Sequence, residues 1–247
     1  GAQAVLAQEF RVQFFFRFCP ERGTEFNDNM AGVFSEHRER PASLRSVDSY
    51  EPSYDGEPPQ ALIFKGGGTK GVSYAGAMQR TEEVCNLEEV KFYAGTSAGS
   101  QCASMLAFGY RAKDLLKQSY EAPWKEIFDA SDGCCAPCLN VSRLVHHFGW
   151  NRGVILQQYL DACFEKKCGI KGCTFKQLFE YNGVELRLGA CDAVTRKFVF
   201  LDRHSEPDMP ISLACRASSA IPLVFMPVAW GGKLFVDGGL EANLPIS

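Results

Sequence analysis

The chain has 247 residues, of which 46% are hydrophobic and 22% charged, with a formal net charge of -3 at neutral pH. That length and balance suit a globular domain large enough to bury its own core, with or without a tail. They exclude a polycationic nucleic-acid binder, and no apolar run reaches the roughly 20 residues a membrane-spanning helix needs.

The chain begins at Gly1 and not at Met, so a processed or cut N-terminus is expected. An aromatic patch, Phe14, Phe15, Phe16 and Phe18, is closely flanked by Arg11 and Arg17, which does not fit the apolar centre of a secretory leader. A polar stretch with Pro41, Ser43, Pro52, Pro58 and Pro59 follows, without sustained helical or strand periodicity. We read residues 1–59 as a polar, partly disordered lead-in and residues 60–247 as the folded domain.

Order begins at Ala61-Leu62-Ile63-Phe64, a short apolar run that predicts a buried strand. Gly66-Gly67-Gly68-Thr69-Lys70-Gly71 comes next, then a predicted helix from Val72 to Val84. A second strand, Val90–Ala94, delivers Gly95-Thr96-Ser97-Ala98-Gly99 and a helical run from Ser100 to Phe108. Strand, helix, strand and helix in so short a span form the βαβ unit of a parallel sheet. The predicted fold is therefore α/β, a three-layer α/β/α arrangement with a mostly parallel central sheet.

Further helices are predicted at 111–120, 141–148 and 153–167, the last with Ile155, Leu156, Tyr159, Leu160, Cys163 and Phe164 on one apolar stripe. Val184–Ala190 and Lys197–Leu201 read as strands joined by a turn around Val194-Thr195-Arg196. A helix at 210–219 stops before Pro222, and the strand Lys233–Val236 runs into Asp237-Gly238-Gly239.

Eleven cysteines, an odd count in a chain with its own core, argue for mostly free thiols over a disulfide scaffold. Cys135-x-x-Cys138 is half of a zinc pattern, but Cys163, Cys168 and Cys173 do not repeat the pairing. No metal site and no cofactor are expected.

The stretch Gly95–Gly99 has the G-x-S-x-G form of a nucleophile elbow, in which a tight strand-to-helix turn exposes a serine hydroxyl. Acyl transfer by Ser97 needs a proton acceptor and donors for the developing oxyanion. Gly66, Gly67 and Gly68 supply the donor type, because residues without side chains let backbone N–H groups converge at a helix start. In a parallel unit the loops after both strands open on one sheet edge, where Gly66–Gly68 and Ser97 meet.

A hydrolase triad would place a histidine last, yet none of His37, His146, His147 and His204 follows Asp237. Each histidine reads as an exposed or helix-face residue. Asp237 sits at a strand end before two glycines, where a carboxylate bonded directly to the serine would act as base. Asp-Gly is also a strong turn signal, so the residues alone leave both roles open.

The order Gly66–Gly71, Gly95–Gly99, Asp237–Gly239 resembles the patatin-like phospholipase family, marked by G-G-G-x-[K/R]-G, G-x-S-x-G and D-G-[G/A] motifs. Arg216–Pro222 and Glu241–Pro245 resemble the family's flanking segments, and the likeness runs from about residue 60 to 247. The resemblance implies a Ser97–Asp237 dyad, an oxyanion loop at Gly66–Gly68, and supporting roles for Lys70, Gly71, Gly95, Gly99, Gly238 and Gly239. It also implies cleavage of carboxylic esters of phospholipids or other glycerolipids at a membrane surface, with Trp124, Phe148 and Trp150 as candidate surface contacts beside the more ordinary role of core packing. The expected location is cytoplasmic or peripheral to a membrane. Family domains carry further helices after the last motif, so a truncated C-terminal end is expected. The cysteine-rich region 134–173 has no familiar motif and reads as a lid or substrate-selecting insert.

Two rivals fall on spacing. Gly66-x-Gly68-x-x-Gly71 fits a dinucleotide fingerprint, but the next strand ends in Gly95-Thr96-Ser97 and not in an acidic residue. A P-loop fails because Lys70 is followed by Gly71. The remaining alternative is a catalytically inactive lipid- or partner-binding domain of the same fold.

Overall fold

The computed structural model describes residues 59–129 and 136–246. All of the lead-in but Pro59 lies outside the described residues, as do His37, Cys134 and Cys135. The chain runs β1 (Ala61–Phe64), a 3-10 turn (Gly68–Val72), α1 (Ser73–Val84), β2 (Phe92–Thr96), α2 (Ala98–Ala107), α3 (Ala112–Glu121) and a one-turn helix α4 (Trp124–Ile127). It continues through α5 (Ala136–His147), β3 (Gly149–Asn151), α6 (Val154–Cys168), α7 (Phe175–Asn182), β4 (Glu185–Asp192) and β5 (Lys197–Leu201). The last elements are α8 (Ile211–Ser218), β6 (Leu223–Phe225), β7 (Val228–Trp230), β8 (Lys233–Asp237) and a 3-10 turn (Gly238–Leu240).

The sheet is α/β in type and mixed in direction. β1, β2 and β4 pair in parallel, as the βαβ reading expects. β5 and β8 run antiparallel to β4, and β7 runs antiparallel to β8. Four strands thus share one direction and two oppose it.

β4 has three partners, and their register positions the site. β5 covers residues 188–192 of β4 along one edge, so β2 and β8 share the other edge in succession. β2 ends with Thr96 opposite Gly189, and β8, entering from the far side, ends with Asp237 opposite Ala190. Two chain ends therefore meet head to head on adjacent β4 residues.

Helices pack over this junction. α2 lies against β1, β2 and β4, and α8 against β4 and β8. On α6 the apolar stripe is present: Leu156, Leu160, Cys163 and Phe164 are buried, and Ile155 and Tyr159 pack partly buried beside them. Phe164 stacks on Phe108 with ring centroids 4.3 Å apart. A fully buried leucine such as Leu160 contributes about 1.5–3 kcal/mol, and truncating it to alanine costs about 2–5 kcal/mol.

Several boundaries depart from expectation for local reasons. α5 starts five residues before the predicted 141, at Ala136. α7 was not predicted, yet it has a capping box: the Gln177 amide donates to Thr174 Oγ1 at 3.3 Å, and Gln177 Oε1 accepts from the Thr174 amide at 3.0 Å. α6 is capped from a distance, its Gly153 and Val154 amides donating to the two carboxylate oxygens of Asp129 at 2.7 and 2.8 Å. β3 and β6 form a separate two-stranded parallel sheet, Gly149 opposite Leu223 and Asn151 opposite Phe225.

Candidate active site

Ser97 is 6% exposed and occupies the turn between β2 and α2 with φ 55 and ψ -124. That left-handed backbone is costly for a residue with a Cβ, on the order of 1–3 kcal/mol, and persists only when its surroundings enforce it. They do. The Ser97 amide donates to Ser218 Oγ at 2.8 Å, and the Ser218 hydroxyl donates to the Gly189 carbonyl at 2.6 Å, tying the turn to β4. The glycines on either side allow the bend: a Cβ on Gly95 would lie 2.2 Å from the Gly99 carbonyl oxygen, and one on Gly99 2.4 Å from that of Phe64. α2 begins at the next residue, so its unpaired N–H groups and positive end face the hydroxyl's surroundings.

The glycine loop reaches this serine. A Cβ on Gly66 would sit 3.3 Å from Ser97 Cβ and 2.2 Å from Asn243 Oδ1, so Gly66 is wedged between the elbow and the final segment. The Gly66 amide donates to the Asn243 carbonyl at 2.8 Å, which commits that N–H to holding the loop in place. Gly67 and Gly68 lie beyond it, exposed, and Gly68 adopts φ 54, a conformation glycine reaches without strain. Gly71 packs against the elbow, since a Cβ there would lie 2.8 Å from Ala98 Cβ. Lys70 is exposed in the 3-10 turn, where its carbonyl accepts the Ser73 hydroxyl at 2.8 Å.

Asp237, 5% exposed, closes the site from the opposite direction. Its amide donates to the Ala220 carbonyl at 2.9 Å, and its Oδ1 accepts the Gly239 amide at 2.7 Å. Gly238 passes close to β4, where a Cβ would lie 2.5 Å from the Gly189 carbonyl oxygen. Burial pushes the Asp237 carboxyl above its ordinary value, while hydrogen bonding from the Ser97 hydroxyl and the Gly239 amide pulls the other way. A weakly solvated carboxylate beside a hydroxyl is chemically a base for that hydroxyl.

Ser97 opens onto a cavity of about 360 Å³ whose wall is mostly hydrocarbon, with Met105, Leu115, Ile127, Leu156 and Leu160 among the lining residues. Its size falls in the range of small-ligand sites. Cys102, also on this wall, is held as a thiol because burial pushes its pKa to about 12. Ser97 thus stands on the wall of an apolar hollow, with Asp237 hydrogen-bonded behind it.

The described histidines stand elsewhere. His204 lies 3.7 Å from Glu185, at the other end of β4, and His146 and His147 are exposed at the end of α5. Cys138 is exposed, and Cys163 and Cys173 are buried as free thiols with Cys168 partly covered. Among the described residues no cluster of metal-ligating side chains occurs.

Residue-level reading missed two supports. Ser218 carries the elbow amide, and its sequence signal is a small polar residue among the buried Ala214, Cys215 and Ala217 of α8. Asn243 supports Gly66 while the neighbouring Ala242 carbonyl accepts the Thr96 hydroxyl at 3.2 Å.

Comparison with known proteins bears on the family and the fold. The patatin-like phospholipase family model matches residues 62–247. An uncharacterized protein of Acanthamoeba polyphaga mimivirus is 30% identical over 187 residues, covering 75% of this chain and 60% of that protein. A probable lipid hydrolase of Invertebrate iridescent virus 6 is 23% identical over 192 residues, covering 76% of this chain and 62% of that protein. The chain therefore spans a little under two thirds of these relatives. Among solved structures, the heterodimeric ExoU–SpcU complex of the Pseudomonas aeruginosa type III secretion system contains a chain with a similar fold. The TM-score is 0.51 at 22% identity, over 71% of this chain and 39% of that one.

Proposed function

The chain belongs to the patatin-like phospholipase family, and on that premise we propose that it is a lipid acyl hydrolase working through a Ser97–Asp237 dyad. The substrates are carboxylic esters of phospholipids or other glycerolipids, met at a membrane surface. The observation that supports this reading is the head-to-head meeting of β2 and β8 on β4, with a Ser97 hydrogen bond to Asp237 and Ser97 on the wall of an apolar cavity.

In the first step Asp237 takes the hydroxyl proton as Ser97 Oγ attacks the ester carbonyl. Backbone N–H groups of Gly67, Gly68 and the start of α2 receive the oxyanion, with Gly66 fixing the loop through Asn243. Collapse expels the alcohol, which takes the proton from Asp237 and leaves an acyl group on Ser97. Water, deprotonated by the same carboxylate, then releases the fatty acid. The raised Asp237 pKa serves this cycle, because a carboxylate nearer neutrality both accepts and returns a proton more readily. The cavity holds the acyl chain, and its hydrocarbon wall keeps water from the ester.

A fluorophosphonate probe tests the reading. Wild-type protein is labelled on Ser97 and Ser97→Ala is not. A folded wild-type protein that resists labelling would sink the hydrolase reading and leave a binding domain of the same fold.

A further inference from the structure

The mouth of the cavity continues into an apolar face that no described residue covers. Val141 and Val145, one helical turn apart on α5, are 51% and 61% exposed, and Phe148 just beyond them is 60% exposed. Leu223 stands beside Phe148, 63% exposed, with its amide donating to the Phe148 carbonyl at 3.1 Å. From Leu223 the face runs into the cavity, because Ile221 and Val224 lie on the cavity wall. Phe128, half-exposed and also on the wall, stacks on Phe225 at 5.6 Å.

Two features set this face apart from scattered surface hydrophobics. Phe148 and Leu223 both have left-handed backbone, φ 57 and 70, and among the described non-glycine residues only Ser97 and Arg196 share it. For bulky residues that conformation is costly, yet here it presents two large apolar side chains to solvent. The segment is also basic: residues 136–160 contain Arg143, Arg152, His146 and His147 and no Asp or Glu, while Asp129, which packs against it, accepts from the Gly153 and Val154 amides.

We propose that α5 and the Phe148–Leu223 junction dock the protein on an anionic bilayer and deliver lipid to the cavity mouth. The inference rests on the hydrolase reading for the use of the docked lipid, but binding itself does not require turnover. A bilayer fits the face better than a protein partner does. Irregular apolar protrusions insert at the headgroup boundary without a complementary shape, and cationic neighbours favour anionic lipid. The continuity with a hydrocarbon-walled cavity gives the same direction.

Vesicle flotation with the full chain tests this, using phosphatidylcholine vesicles with and without phosphatidylserine. The variant is Phe148→Asn with Leu223→Asn, since asparagine tolerates left-handed backbone and preserves the local fold. The double change is expected to lower the partition onto phosphatidylserine-containing vesicles about tenfold or more, with turnover of a water-soluble short-chain ester unchanged. Wild-type binding is expected to weaken when phosphatidylserine is omitted.

Undiminished binding by the double variant would overturn the proposal. So would a parallel loss of ester turnover, or a change in oligomeric state by light scattering in place of vesicle binding. Vesicle binding by a wild type that hydrolyses no ester would sink the hydrolase reading while supporting the docking surface.

Discussion

Two carboxylates beside β4 stand in opposite circumstances. At its start Glu185 sits among Arg187, Arg203 and His204, with Asp202 paired to Arg187 at 3.5 Å. Toward its other end, Asp237 of β8 lies opposite Ala190 and faces a serine hydroxyl and a backbone amide, and no cation contributes to its titration. The first carboxylate is ion-paired with Arg203 and close to Arg187 and His204, which ties the loop after β5 to β4. The second is buried without a counter-charge, and burial alone lifts its pKa. A carboxylate's neighbours, more than its burial, separate structural acid from candidate base.

The largest break in that comparison is Asp237→Asn. Turnover should fall by about 10²–10⁴, the usual contribution of a general base, measured with a short-chain ester. Stability moves the other way. The folded-state pKa is raised, so this group's stabilisation is present at low pH and is lost as pH rises through the raised value. At neutral pH the variant should therefore melt no lower than wild type; a clear drop in Tm would mean Asp237 is a structural pair like Glu185. The same shift places the acid limb of kcat/KM above the ordinary aspartate pKa of about 3.9, with activity lost as Asp237 protonates; a limb at or below that value would contradict the burial argument.

Gly95→Ala tests the frame around the serine. Its Cβ would meet the Gly99 carbonyl at 2.2 Å, and overpacking of that kind costs about 1–3 kcal/mol. Urea unfolding should show the loss, together with reduced turnover as the elbow shifts. Glu185→Gln should cost least, about 1 kcal/mol after solvent screening of its partly exposed arginines, and leave ester turnover intact. A turnover loss there would join the two ends of β4 into one functional unit.

Much of the site was legible because its glycines mark places where backbones touch. Gly95, Gly99 and Gly66 each occupy space that a side chain would close, and that constraint survives in the sequence as a motif. Strand direction was less legible. Lys233–Val236 reads as an apolar run whichever way it pairs, so the antiparallel entry of β8 that brings Asp237 to Ala190 had no local signal. β3 and β6, at three residues each, are too short for any period to emerge. Asp129 caps α6 across 24 residues, a contact made by tertiary packing and invisible to local capping rules. The capping box at Thr174, by contrast, is local and visible in the sequence as Thr174-x-x-Gln177.

The central claim is a two-residue site in which the base is a carboxylate and no imidazole takes part. The most direct measurement is turnover of a short-chain ester by a chain with all four histidines, His37, His146, His147 and His204, changed to glutamine. With Asp237 as base, the folded variant keeps wild-type kcat. A collapse of kcat in a correctly folded histidine-free protein would contradict the dyad and require a triad in its place.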